Sequence, residues 1–367
     1  MLRLNEPLGS RPDDGAALES LAAEIAASPV IGLDTEFMRE RTYRAQLCLV
    51  QVATPGHCAC VDPLGSVPLE SFGASLAAPG VEKVMHAARQ DLEVLWPLCG
   101  LLGKVFDTQV AAALAGWPAQ IGYAELVRQL LGVTLSKAHT RTDWARRPLS
   151  GAQIEYALDD VAHLGALRDA LLERLSALGR VNWLEQELVD LGREEHLFVD
   201  PERAWERLKG LADLDPWRRS LARLLAAWRE RRASERNRPR SWILPDTAVR
   251  GIVLRVPRTA VELGALEDVT PGFIENSGAD VLALIDVLAP PSPLPPLPGR
   301  PRPDPELAAV VKRLGEAVRT AANELHLSPE LLATRRDLEA IARGRDDVPP
   351  LSGWRGELLG DRLRATL

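Results

Sequence analysis

Val30-Ile31-Gly32-Leu33-Asp34-Thr35-Glu36-Phe37 is a short apolar run that ends in two carboxylates one residue apart. Side chains alternate faces along a strand, so Asp34 and Glu36 leave the same face of what reads as a buried strand. Two like charges about 7 Å apart on one face repel each other. Nothing basic lies between them in sequence. A divalent cation is the simplest neutraliser, and oxygen ligands of this kind suit Mg²⁺ or Mn²⁺. Taken alone, the pair also fits a solvated strand end, so its meaning depends on what surrounds it.

Around this stretch the periodicity alternates between strand and helix. Residues 14–27 are rich in Ala and Leu at helical spacing, and residues 45–53 alternate like a second strand. Pro55-Gly56 marks a turn into a third strand at 58–62, and a helix is expected near 67–77. A short strand at Lys83–His86, a helix over 88–98 and a strand at 105–107 follow. Three hairpin-like strands succeeded by alternating helices and strands predict an α/β domain with a mixed sheet. Asp91 falls on the first turn of the 88–98 helix, where an acid also complements the helix dipole. Ser150 followed by Gln153 fits a capping box opening a long helix, on which Tyr156 and Asp160 share one face at i,i+4 spacing.

Composition sets outer bounds. The chain has 367 residues, 46% hydrophobic and 26% charged, enough for two or three domains. There is neither a signal-peptide core at the start nor an 18-residue apolar run, so no membrane partner and a cytoplasmic location are expected. Cys48, Cys58, Cys60 and Cys99 lack zinc-site spacing and read as buried thiols. The net charge of −7 hides an asymmetry: Arg203 to Arg258 holds 15 Lys/Arg against 6 Asp/Glu, which suggests a polyanion partner for that segment.

Beyond residue 176 the strand signals stop. Helices are expected at 178–197, 202–211 and 217–232, the last with Leu221, Leu224, Leu225 and Trp228 on an apolar face, and shorter ones to about 288. A proline-rich stiff linker covers 289–304, and helices resume at 306–322 and 328–342.

In chain order the acids are Asp34-x-Glu36, Asp91 and Tyr156-x-x-x-Asp160. This order and spacing resembles the DEDD superfamily of 3′-to-5′ exonucleases in its Tyr-containing branch. The His-containing branch would place histidine five residues before the last Asp, where this chain has Glu155. The run from Asp34 through Tyr43 to Leu47-Cys48-Leu49-Val50-Gln51, together with His86–Asp91 and Thr142–Leu149, is similar to ribonuclease D specifically. The region around Pro239-Arg240-Ser241-Trp242-Ile243-Leu244-Pro245 resembles an HRDC domain. The resemblance covers practically the whole chain. It implies a ribonuclease H-like exonuclease domain with a mixed sheet over 1–200, a first all-α HRDC domain over 201–288, the linker at 289–304, and a second HRDC-like domain over 305–367.

The resemblance also implies a mechanism. Asp34, Glu36, Asp91 and Asp160 would hold two divalent ions, Mg²⁺ or Mn²⁺, which serve the two ends of an in-line displacement at phosphorus. Tyr156 would orient the attacking water; an unperturbed tyrosine near pKa 10 is a poor base. Phe37 and Met38 would meet terminal bases, and His86, Arg89, Gln90, Lys137 and Arg141 would contact the strand, with His139, Arg146 and Arg147 as further basic candidates. The expected activity is metal-dependent 3′-to-5′ exoribonuclease action, releasing nucleoside 5′-monophosphates from single-stranded 3′ ends of structured RNA such as tRNA precursors. A monomer is expected. The alternatives are a DNA-directed exonuclease with the same catalytic set and a catalytically weak RNA-binding adaptor. The adaptor would need a lost carboxylate, and all four are present.

Overall fold

Six strands build one sheet: β1 (Leu2–Arg3), β2 (Val30–Met38), β3 (Gln46–Ala53), β4 (His57–Val61), β5 (Glu82–Met85) and β6 (Val105–Asp107). Their order is β1-β4-β3-β2-β5-β6. β3 and β4 run antiparallel, whereas β5 runs parallel to both β2 and β6, so the sheet is mixed as expected. β1 is too short to show a period and is not legible in the sequence. This computed structural model describes residues 2–3, 6–11, 13–135, 142–191, 193, 197–211, 214–289 and 304–367. The proline-rich linker therefore falls almost wholly outside the described residues.

The chain divides into two units. The first comprises Met1–Met38, Leu47–Leu197 and Pro303–Leu367. Here the sheet has helices on both faces. α1 (Gly15–Ala27), α2 (Glu70–Ala77) and α3 (Arg89–Cys99) bury Leu18, Ile25, Phe72, Leu76 and Leu95 against Ile31, Leu33, Val50 and Val52. The other face carries α4 (Thr108–Leu114), α5 (Tyr123–Leu131), α6 (Gly151–Ala162), α7 (Leu164–Ala177) and α8 (Val181–Leu191). The long helix expected from residue 150 breaks at His163 between α6 and α7. Its start is as read: Ser150 and Gln153 form a complete capping box.

Gly32 explains how closely α6 approaches the sheet. A Cβ on it would lie 3.0 Å from the carbonyl oxygen of Val161, 3.2 Å from Cβ of Ala53 and 3.3 Å from Cβ of Leu164. Only glycine admits that approach without displacement. The carbonyl belongs to the residue after Asp160, and Gly32 precedes Asp34 by two positions on the same face.

Helices Pro305–Leu325, Pro329–Leu332, Arg335–Ala342 and Gly353–Arg364 belong to the same unit, and Leu314, Val318, Trp354 and Leu359 share one core with Leu164 and Leu171. Trp354 stacks on Trp183 of α8 with ring centroids 4.7 Å apart, and Arg355 pairs with Glu187. The helix expected over 328–342 is in fact two. Thr334 and Asp337 form a capping box that opens the second, and the residues between adopt extended backbone.

The second unit, Arg39–Gln46 with Phe198–Arg302, is helical. Helices Pro216–Glu235, Asp246–Arg255 and Ala279–Val287 bury Leu221, Leu225, Val249, Ile252, Val281 and Ile285. The expected helix over 202–211 is a shorter 3-10 segment, Pro201–Arg207. Tyr43 donates its hydroxyl to the buried Glu230, which Arg240 grips at 2.5 and 2.6 Å. The surplus of cations here is partly spent inside the unit. Arg203, Arg218, Arg223, Arg229, Arg231, Arg232, Arg240 and Arg258 all form ion pairs with local acids.

Candidate active site

One strand and two helices supply the acids. β2 carries Asp34 and Glu36, the first turn of α3 carries Asp91, and α6 carries Tyr156 and Asp160. β2 is read by both layers of the fold. Ile31 and Leu33 face α1–α3, so Thr35, in step with them, faces that layer as well. There its hydroxyl donates to Oδ1 of Asp91 at 2.5 Å. Asp34 and Glu36 point to the opposite layer, toward α6. The strand thus binds Asp91 through the residue between its two carboxylates, a role that the Asp-x-Glu pattern does not announce.

The start of α3 is fixed from below. Asp107, at the end of β6, accepts from the backbone nitrogens of Ala87 at 3.0 Å and Ala88 at 2.9 Å while also capping α4. This holds the turn that delivers Asp91, where Ala87 has a positive φ of 58°.

The start of α6 is fixed by Arg147. Its Nε and Nη2 reach the two oxygens of Asp62 at 2.7 and 2.6 Å, and Nη2 also donates to the carbonyl of Cys48 at 2.7 Å. Its Nη1 returns to the carbonyl of Trp144 at 2.7 Å. Trp144, buried in this turn, stacks on Tyr156 with centroids 6.3 Å apart and planes 29° apart. Arg147, read from the sequence as a strand contact, is therefore a scaffold group. Asp62 is held below the usual carboxylate range: burial opposes ionisation, but the bonds from Arg147 outweigh it.

The electrostatics of the acids are dominated by burial, to which neighbouring carboxylates add. Burial, then the charges of Asp91, Asp160 and Glu36, push Asp34 well above the ordinary value. Burial, then the charges of Asp160 and Asp91, raise Glu36 to about 8. Burial and Asp159 raise Asp160 to about 7, the Tyr156 hydroxyl working against them. Asp91 rises to about 6 through burial, moderated by its bond from Thr35. Tyr156 is pushed up by burial and then by Asp160, to which it is hydrogen-bonded, so it stays protonated at neutral pH and is no general base there. Among the described residues no three His, Cys, Asp or Glu side chains already close on a common point as a metal cage. It is the donor chemistry that fits a divalent cation: four oxygen-bearing acids whose mutual repulsion such a cation relieves.

The expected substrate contacts separate. Both ring nitrogens of His86 are engaged within the fold, Nδ1 with the Thr108 hydroxyl at 2.8 Å and Nε2 with the carbonyl of Ile121 at 2.9 Å. That geometry makes His86 part of the scaffold. Arg89 and Gln90 are exposed on the first turn of α3, Phe37 is half-buried, and Met38 packs against the core on the α6 side. Lys137, His139 and Arg141 lie outside the described residues. Sequence reasoning did not single out Thr35, Asp107 or Asp62, which carry no motif of their own and matter only through their partners.

Known proteins resemble this chain over nearly its whole length. A family model described as 3′-5′ exonuclease matches residues 11–176, and a model of the HRDC domain matches residues 218–285. The chain is 39% identical to ribonuclease D of Nitrobacter hamburgensis over 356 residues, covering 95% of this chain and 93% of that one. It is 40% identical to ribonuclease D of Xanthomonas oryzae over 351 residues, covering 91% and 92%. Among solved structures, Escherichia coli RNase D, an exoribonuclease involved in structured RNA processing, aligns with a TM-score of 0.85 at 31% identity over 99% of each chain.

Proposed function

The chain belongs to the ribonuclease D family of 3′-to-5′ exoribonucleases, and on that premise we propose how its own residues perform the reaction and on what. The observation that carries the proposal is that Asp91 and Asp160, from two helices, lie near enough to Asp34 and Glu36 on the strand for their charges to raise both. These four acids would hold the divalent metal, two Mg²⁺ or Mn²⁺ ions, whose chemistry when bound would be to lower the pKa of a water and to stabilise the departing oxygen.

This chain's residues do the rest. Tyr156, its ring against Trp144 and its hydroxyl beside Asp160, orients the attacking water. Water adds to the terminal phosphorus as the bond to the preceding nucleotide's 3′ oxygen breaks. One nucleoside 5′-monophosphate leaves and the shortened strand keeps a 3′ hydroxyl. Arg89 and Gln90, exposed beside Asp91, and Phe37 contact the strand end; Lys137 and Arg141 belong to the same proposal.

The substrate class we propose is the single-stranded 3′ end of structured RNA such as a tRNA precursor, met in the cytoplasm by a monomer. Residues 201–288 and 305–367 serve as HRDC-type domains that contact phosphates without reading sequence. Among the described residues no helix is long and apolar enough to cross a membrane. The test is degradation of a 5′-labelled RNA and a DNA of matching sequence with Mg²⁺ or Mn²⁺. The expected result is a ladder shortening from the 3′ end on RNA, lost in Asp34→Ala. Equal cleavage of DNA would replace the substrate proposal, and retained cleavage in Asp34→Ala would overturn the catalytic assignment.

A further inference from the structure

Gln51 interrupts an otherwise apolar strand, Leu47-Cys48-Leu49-Val50-Gln51-Val52-Ala53. It is 0% exposed, and neither its amide nitrogen nor its amide oxygen has a hydrogen-bond partner. Leaving such a group buried and unpaired costs about 1–3 kcal/mol, and a leucine or methionine would avoid that. A residue held at that disadvantage calls for a function at this place.

The direction it faces follows from the strand ladder. Gln51 stands opposite Cys60, and Ala53 opposite Cys58. Ala53, Cys58 and Cys60 all join the core on the α6 side, while Val50 and Val52 join the other. On the adjoining strand, Gly32 abuts Ala53 on that same side. Asp34 and Glu36 continue the face of Gly32. Gln51 therefore shares a face with both carboxylates, on the neighbouring strand. α6 packs on both β2 and β4, the strands flanking β3, so Gln51 lies beneath the helix that bears Tyr156 and Asp160. The influence of Glu36 reaches this row: burial first, then the charges of Cys58 and Glu36, push the Cys60 thiol up.

We propose that Gln51 is a positioning residue for the carboxylate centre: its amide, unpaired here, turns to donate to the Asp34–Glu36 pair when those carboxylates receive a divalent cation, and so holds their orientation. A carboxylate bound to a metal keeps lone pairs that need donors, and such outer partners orient the ligand. An amide supplies a donor without a positive charge that would compete with the cation, which separates glutamine from lysine or arginine at this position. The inference rests on the divalent-metal reading of the same site.

The test compares the full-length wild type with Gln51→Met, which keeps volume and loses hydrogen bonding. Mn²⁺ affinity is measured by titration, and thermal unfolding is followed without metal. The expected result is Mn²⁺ binding weakened by about 10- to 100-fold, with metal-free unfolding temperature unchanged or raised. Equal Mn²⁺ affinity in the two proteins would overturn the assignment of Gln51. Absence of Mn²⁺ binding by the wild type would instead overturn the metal reading beneath it. Should Gln51→Met not fold, the wild type still decides: addition of Mg²⁺ is expected to shift the Gln51 side-chain amide resonance and protect its protons from exchange. An unmoved resonance in a protein that binds Mg²⁺ would overturn the proposal.

Discussion

Thr35 donates its hydroxyl to Asp91 across 56 residues of sequence, binding the strand that carries Asp34 and Glu36 to the helix that carries the third acid. The bond favours the ionised form of Asp91 and holds its pKa below what burial alone would produce. In Thr35→Val the shape is kept and the donor lost. In the metal-free protein Asp91 then moves above about 6, and the profile of Mg²⁺ affinity against pH moves up with it. Thr35→Ser should retain the wild-type profile. A Thr35→Val profile that coincides with the wild type would remove this role.

Tyr156 hydrogen-bonds Asp160 and stays protonated at neutral pH. Tyr156→Phe keeps the ring against Trp144 and loses only the hydroxyl. The expected outcome is a kcat reduced by about 10²-fold, within the range for a single positioned group, with KM for RNA little changed. A rise in KM at constant kcat would place Tyr156 in strand binding instead.

The raised carboxylates make metal-free stability depend on pH. Asp91 at about 6, Asp160 at about 7 and Glu36 at about 8 all lie above the unfolded values near 4. The folded state therefore binds more protons than the unfolded chain over that interval. Their contribution is fully present below about pH 4 and is lost as pH rises through 6 to 8. In a chelator, the unfolding temperature should fall between pH 5 and 9, and Asp34→Asn should flatten the decline. Mg²⁺ should stabilise most at the alkaline end, because it binds the deprotonated carboxylates. An unfolding temperature independent of pH in chelator would contradict the raised carboxylates that burial and neighbouring charge produce.

Arg147 leaves Asp62, whose side chain is 3% exposed, without its main partner when removed. Arg147→Ala should destabilise the protein by about 3 kcal/mol in urea titration, as for other broken buried pairs. Pairing it with Asp62→Asn should recover part of the loss, since the stranded charge is gone. Losses that simply add would show that the two residues act separately.

The α/β pattern, the mixed sheet and the order of the acids were legible in the sequence because each is a local property. Strand alternation puts Asp34 and Glu36 on one face whatever surrounds them, and the Ser150–Gln153 box starts α6 from residues within one turn. The boundary at His163, the break before Thr334 and the two-residue β1 were not legible, since packing, competing caps and a strand partner far along the chain decide them.

The roles of single residues divide in the same way. The sequence offered the acids and Tyr156 as candidates because their order and spacing carry the family resemblance. Only the folded chain showed that Thr35 serves Asp91, that Arg147 and His86 are spent on the scaffold, and that Gln51 lies buried beside the carboxylates. The physical reason is that a hydrogen bond or a buried face belongs to a pair of groups. A pair separated by 56 or 85 residues in sequence exists only once the sheet has brought it together.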